Sequence, residues 1–193
     1  MVFSDELNLL LKARYPIIYV SSFEEDRLEY TIRKAIKANS NKAIYSWDFV
    51  DGYKTNSSSP RFASKNPLQA LDLVEKLTED TPAIFILKDF NKFLLDIAVS
   101  RKLRNLLSLL KTQPKTLIIL ATEIQIPKDL VEIVTILEFT LPTSKEIKFE
   151  LIRLFKSLNK EIEDEFFELL ISSCQGLSIE KIRRALSKSI AKY

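Results

Sequence analysis

YVSSFEEDRLEY, residues 19–30, joins an apolar run to a helix-period pattern, and the reading of that junction decides the fold. Upstream, Ile17–Val20 is continuous apolar chain set off by Pro16, as expected of a strand buried on both faces. Downstream, Leu28, Ile32 and Ile36 recur at intervals of four, one stripe of an amphipathic helix. A buried strand feeding a helix is half of a parallel strand–helix–strand unit. Where such a junction holds a nucleotide phosphate it is glycine-rich and carries a lysine, so that backbone N–H groups and the helix N-terminus surround the anion. This junction has no glycine, no Lys-Ser or Lys-Thr pair, and three consecutive acids, Glu24, Glu25 and Asp26, after Ser21 and Ser22. Ser22 and Glu25 have capping-box spacing, which predicts a helix end filled by its own side chains. A carboxylate about 5 Å from a phosphate charge costs roughly 3 kcal/mol at an effective dielectric near 20, so each acid there opposes phosphate strongly.

Outward from the junction the alternation continues. An opening helix presents Leu7, Leu10 and Leu11 before Pro16. Ala43–Phe49 reads as a second strand, followed by a polar loop with Asn56–Ser59 and Pro60. Asn66-Pro67 starts a helix, with proline where its missing N–H costs nothing. Ala83–Leu87 and Leu117–Ala121 are buried strands on either side of a long helix carrying Leu103, Leu106, Leu107 and Leu110. Ile133–Phe139 is the last strand, and beyond Pro142 the pattern is wholly helical, opened by a Thr143–Glu146 capping box. The expectation is an α/β core of five parallel strands over residues 1–142 and a helical lid over 143–193.

Composition narrows the chemistry. The 193 residues are 46% hydrophobic and 28% charged, ordinary for a globular chain. Histidine is absent and Cys174 is the single cysteine, so no disulfide within the chain and no zinc site of familiar spacing is expected. No metal ligand set is predicted. The net charge of +3 is weak for a nucleic-acid reader, and no apolar run is long enough to span a membrane. The N-terminus has neither the apolar run of a signal peptide nor an Arg-rich transit pattern. Cys174 shares a helix face with Phe167 and Leu170, which predicts a buried, inert thiol.

The order of strands and the helical lid resemble a AAA+ module. WDFVDGY (47–53), KNPLQALDLVEK (65–76), ILKDF (86–90), LPTSKEI (141–147) and GLSIEKIRRAL (176–186) are similar to the N-terminal half of the AAA-type ATPase family of plastids and cyanobacteria known as hypothetical chloroplast reading frame forty-six. In that family a second, C-terminal module carries the intact phosphate loop. The resemblance implies that the metal-binding strand should end in Asp-Glu; Ile84–Leu87 is followed instead by Lys88 and Asp89. At the polar sensor position Leu117–Ala121 runs into Thr122 and Glu123, and no arginine lies between Leu130 and Phe139 where an arginine finger would be. These departures predict a degenerate AAA+ domain without catalytic residues, an assembly, regulatory or client-docking module, and no ATP cofactor unless the family activity is retained. A weak or partner-assisted ATPase and a nucleic-acid-binding module are the alternatives. The resemblance also implies the plastid stroma, or the cytoplasm otherwise.

Tyr45, Trp47 and Phe49 alternate on a strand and are expected in the core, whereas Tyr53, Arg61 and Phe62 flank the polar loop and are expected on a partner surface for a AAA+ subunit or client. Lys181, Arg184, Lys188 and Lys192 form a basic stripe on the last helix, and Arg101, Lys102 and Arg104 a second basic group; solvated faces are the default for both, with an acidic partner or nucleic-acid backbone the alternative. The lid is expected to pack on the core through Ile147, Leu151, Phe155, Phe166, Leu170 and Ile182.

Overall fold

A computed structural model describes residues 2–39, 42–54, 62–157 and 163–192. The chain divides into two compact units, Met1–Phe139 and Thr140–Tyr193.

In the first unit, α1 (Phe3–Lys12), β1 (Ile17–Ser21), α2 (Glu25–Asn39), β2 (Ala43–Asp48), β3 (Gly52–Lys54), α3 (Pro67–Lys76), β4 (Ala83–Lys88), α4 (Ile97–Thr112), β5 (Lys115–Ala121) and β6 (Thr135–Glu138) follow one another, with 3-10 turns at Phe90–Phe93 and Val131–Ile133. The sheet order is β3-β2-β4-β5-β1-β6. Strands β2, β4, β5, β1 and β6 are parallel, as expected, and β3 adds an antiparallel edge that the sequence did not suggest. It is short because Gly52, at φ 73, turns the chain straight back after Asp48, whose carboxylate accepts from the Val50 and Asp51 N–H groups.

Both faces of the sheet are apolar. Ile17, Tyr19, Trp47, Phe85, Leu87, Leu117 and Ile119 meet α3 and α4, while Ile18, Val20, Ile84, Ile86, Ile118 and Leu120 meet α1 and α2. The period-2 alternation within continuous apolar runs gives each helix layer its own core. Prolines punctuate the strand starts: the carbonyls of Pro16, Pro82 and Pro114 accept from Leu117, Ala43 and Ala83, extending the ladders where a proline N–H is not needed. Lys115 is fully buried at the start of β5, and its ammonium donates to the Val74 and Leu77 carbonyls at 2.9 and 2.8 Å, holding the end of α3.

The second unit holds α5 (Ser144–Ser157), α6 (Asp164–Ser173) and α7 (Ile179–Lys192) around Ile147, Leu151, Ile171, Cys174 and Ile182, with Phe155, Phe167 and Leu170 packed against them. The Thr143–Glu146 capping box forms, Thr143 N donating to Glu146 Oε2 at 2.9 Å and Glu146 N to Thr143 Oγ1 at 3.3 Å. Phe166 does not join this core and is 56% exposed; Phe167 takes the place. The apolar pair leaves a one-residue ambiguity in register that helix geometry resolves, since Phe167 stands four residues from Ile171. Cys174 is buried, and burial pushes its thiol pKa up.

Candidate functional site

The C-terminal ends of β1, β4 and β5 lie side by side, and the residues singled out in the sequence converge there. The chain leaves β1 through Ser22, whose N–H donates to the Ala121 carbonyl at 2.8 Å. Ser22 Oγ accepts from the Glu24 N–H at 3.0 Å, and the Glu24 carbonyl takes the first helical hydrogen bond, from Leu28. The expected Ser22–Glu25 capping box is therefore absent. The sheet claims the Ser22 N–H that a capping box would need, and Glu25 turns away to a lysine.

That lysine is Lys88, on the last position of β4. Its parity matches Ile84 and Ile86, so it faces α2. Lys88 Nζ lies 2.8 Å from Glu25 Oε1 and 2.6 Å from Glu29 Oε2, and Glu29 in turn receives Arg33 at 2.6 Å. Lys88 and Glu29 are each only 16% exposed at the side chain, so the pair is largely shielded from solvent. Burial alone would push the Glu29 carboxyl up, but hydrogen bonds from Lys88 and Arg33 hold it below its ordinary value. Burial likewise works against the Lys88 ammonium, and the two glutamates outweigh it and raise its pKa. Glu24 pairs with Arg27 at 2.6 Å, and Asp26 is exposed.

Beside this network, Asp89 is exposed and left-handed at φ 52, and its N–H donates to the Leu120 carbonyl at 2.8 Å. Thr122 and Glu123 are exposed beyond β5. Glu123 pairs with Lys92 at 2.6 Å, and its backbone carbonyl accepts from the buried Tyr19 hydroxyl, whose pKa burial raises. Three large apolar side chains stand exposed at this same end, Phe23 and Leu95 on loops and Ile97 at the first position of α4, at 88%, 83% and 86% exposed. The sequence reading missed Glu29 and Lys92. Glu29 could have been found, because it stands one helical turn from Glu25 on the side that faces the strands.

The other candidates lie outside this network. Tyr53 is not a surface residue: it is 3% exposed on β3, and its hydroxyl donates to the Ala70 carbonyl at 2.8 Å. The unforeseen edge strand explains the correction, since pairing with β2 turns Tyr53 onto α3. Phe62 is 36% exposed and stacks on Tyr53 with a ring-centroid distance of 6.4 Å. Arg61 lies outside the described residues, as do the serines of the loop before it. Trp47 is fully buried and donates to the Ala63 carbonyl at 2.9 Å, and Tyr45 packs beside it, but Phe49 is 39% exposed and stacks on Phe93. On α4, Lys102 is held by Asp72 and Glu75 at 2.8 and 2.7 Å, and Arg104 lies 3.5 Å from Asp129, so this basic group is largely neutralised. On α7, Lys181, Arg184 and Lys188 are exposed, and Arg184 pairs with Glu180 at 2.9 Å. Among the described residues no group of three or more carboxylate, cysteine or histidine ligands is placed to hold a metal, and no helix is long and apolar enough to cross a membrane.

Comparison with known proteins places this geometry in a family. Uncharacterized AAA domain-containing proteins ycf46 of Trieres chinensis and Guillardia theta are 60% and 50% identical over the whole chain, which spans 39% and 38% of their lengths. Among solved structures, the FIGL-1 AAA domain in complex with ADP superposes with a TM-score of 0.60 at 9% identity, covering 88% of this chain and 58% of that one. The Thermotoga maritima RuvB Holliday junction branch migration motor gives 0.57 at 17% identity, covering 98% and 63%. C. elegans PCH-2 gives 0.58 at 13% identity, covering 99% and 60%. These likenesses establish the AAA+ fold. The model of the SpoVK-like AAA ATPase N-terminal domain matches residues 3–139, and the chain belongs to that family.

Proposed function

We propose that this chain is a AAA domain that does not bind or hydrolyse ATP, and that it serves as an assembly or docking module beside an active AAA+ subunit. The observation that carries the reading is the ion-pair network of Lys88 with Glu25 and Glu29. A nucleotide-binding site of this fold needs donors at the start of α2 and a carboxylate at the end of β4 for magnesium. Here the signs are exchanged and cancel one another. The residues present do not fit a nucleotide phosphate or its metal: both acids must first lose their lysine, and each then repels the anion.

The exposed Phe23, Leu95 and Ile97 support a protein partner at this end of the sheet, since large apolar and aromatic side chains are the usual anchors of interfaces. The reading-frame name borne by the relatives supports the plastid as the place of action, and the stroma is the compartment proposed within it. The chain spans under two-fifths of those relatives' lengths, so an active module elsewhere in such a protein is the natural partner.

Calorimetric titration with Mg-ATP tests the reading. No saturable binding tighter than about 100 μM is expected, a limit equivalent to somewhat over 5 kcal/mol. Tighter binding that ADP displaces and inorganic phosphate does not would overturn it. For docking, changing Phe23, Leu95 and Ile97 together to serine should abolish co-purification with a AAA+ partner from plastid extract while leaving thermal unfolding unchanged. Retention of that partner sinks the docking surface.

A further inference from the structure

At the opposite end of the sheet, where the strands begin, a cleft of about 160 Å³ is lined by Leu11, Lys12, Arg14, Lys42, Gln113 and Thr116, with Pro114 and Lys115 completing its wall. Three of these residues come from separate places in the chain, the end of α1, the turn after it and the residue before β2, and all three are cations. Most charged clusters in this molecule are neutralised internally, as at Lys88, Lys92, Lys102 and Lys148. Lys12, Arg14 and Lys42 are different: among the described residues none of them forms an ion pair. Lys42 is half-buried, and burial first and the Arg14 charge second push its pKa down. Like charges held together without an acid are relieved by a bound anion.

We propose that this cleft binds a small phosphate group, either free phosphate or a phosphomonoester. Its volume falls below the roughly 300–1,000 Å³ of sites for drug-sized ligands and suits a single tetrahedral anion. The Arg14 guanidinium supplies the planar fork that matches two phosphate oxygens, and Lys12 and Lys42 supply point charges. Gln113 adds selectivity. Its Oε1 is buried without a hydrogen-bond partner. Hydrogenphosphate or a singly protonated monoester carries one O–H that can donate to that oxygen, and sulfate carries none. The site is distinct from the end of the sheet where the nucleotide site of the fold lies, and it does not depend on the reading given above for that end.

Titration of the full chain with inorganic phosphate at constant ionic strength, followed by calorimetry and thermal shift, tests the proposal. Saturable binding in the millimolar range or tighter is expected, weaker for sulfate by tenfold or more. Arg14→Gln/Lys42→Gln should weaken it at least tenfold. Lys181→Gln/Lys188→Gln, which removes the same charge from α7, should leave it within twofold. If Arg14→Gln/Lys42→Gln does not fold, Lys12→Gln, at an exposed position, carries the same expectation of weaker binding with the α7 variant unchanged. Glycerol 3-phosphate separates the sources: binding tighter than inorganic phosphate identifies an esterified group, equal binding a cleft that takes either, and binding only of the inorganic ion free phosphate. Equal weakening in the two double variants, or no saturable phosphate binding by the wild-type chain, overturns the site.

Discussion

Lys88 holds two glutamates in a largely shielded network, so its removal costs more than the loss of a surface pair. Lys88→Met leaves Glu29 with Arg33 alone and Glu25 without a lysine. Destabilisation of about 1–3 kcal/mol is expected in urea unfolding, below the range for fully buried pairs because Glu25 is 46% exposed. The pH dependence follows from the directions of the shifts. Glu29, depressed in the fold, contributes stability above its ordinary value of 4.5 that is lost as pH falls through the folded value. Lys88, raised in the fold, contributes stability below 10.5 that is lost as pH rises through its folded value. These two groups therefore add no slope between these limits, and Lys88→Met should make the acid limb shallower. An unchanged acid limb would show that Lys88 does not hold Glu29. Gly176 gives a second residue-scale case. It is left-handed at φ 79, and a methyl group there would meet nothing within 4 Å. Gly176→Ala should cost about 1–2 kcal/mol from backbone conformation alone, read as a fall in thermal unfolding temperature. A neutral result would mean that the turn into α7 relaxes.

Among the elements, α6 separates periodicity from placement. Both Phe166 and Phe167 satisfy an apolar stripe in the sequence, and only Phe167 packs with α5 and α7. Ile171→Ala, at 4% exposure, should destabilise by about 2–4 kcal/mol, whereas Phe166→Ala should fall within about 0.5 kcal/mol of wild type in equilibrium unfolding. A reversed order would place the helix in the other register. The loop before α3 shows an element assembled across sequence distance. Lys65 N donates to the Phe49 carbonyl at 2.7 Å and Tyr53 N to the Phe62 carbonyl at 2.9 Å, which stitches residues 62–66 to the hairpin of β2 and β3. Asn66 then caps α3 by accepting from Gln69 N at 3.0 Å. The cap was legible in Asn66-Pro67. The stitching was not, because main-chain hydrogen bonds carry no residue signature.

For the molecule as a whole, each unit has an apolar core of its own, and the break lies near Phe139. A fragment of residues 1–142 is expected to retain the sheet and to unfold cooperatively by circular dichroism. A fragment without a cooperative transition would show that the core needs the helical unit to fold.

Sequence alone determined the alternation of buried strands and amphipathic helices, the five parallel strands, and the lack of a glycine-rich phosphate loop. Those features are written locally, in residue type and in periods of 2 and 3.6. It also marked Glu25 and Lys88 as residues of the wrong sign, each at its own position. Only the tertiary structure decided that they cancel: 63 residues separate the two, and the parallel crossover that brings the end of β4 under α2 has no local signature. The same reason explains Tyr53, which read as a loop aromatic until pairing with β2 gave it a buried face. It explains as well the meeting of Lys12, Arg14 and Lys42 at one cleft, cations that look unrelated along the chain and share a place because every parallel strand begins at the same end of the sheet.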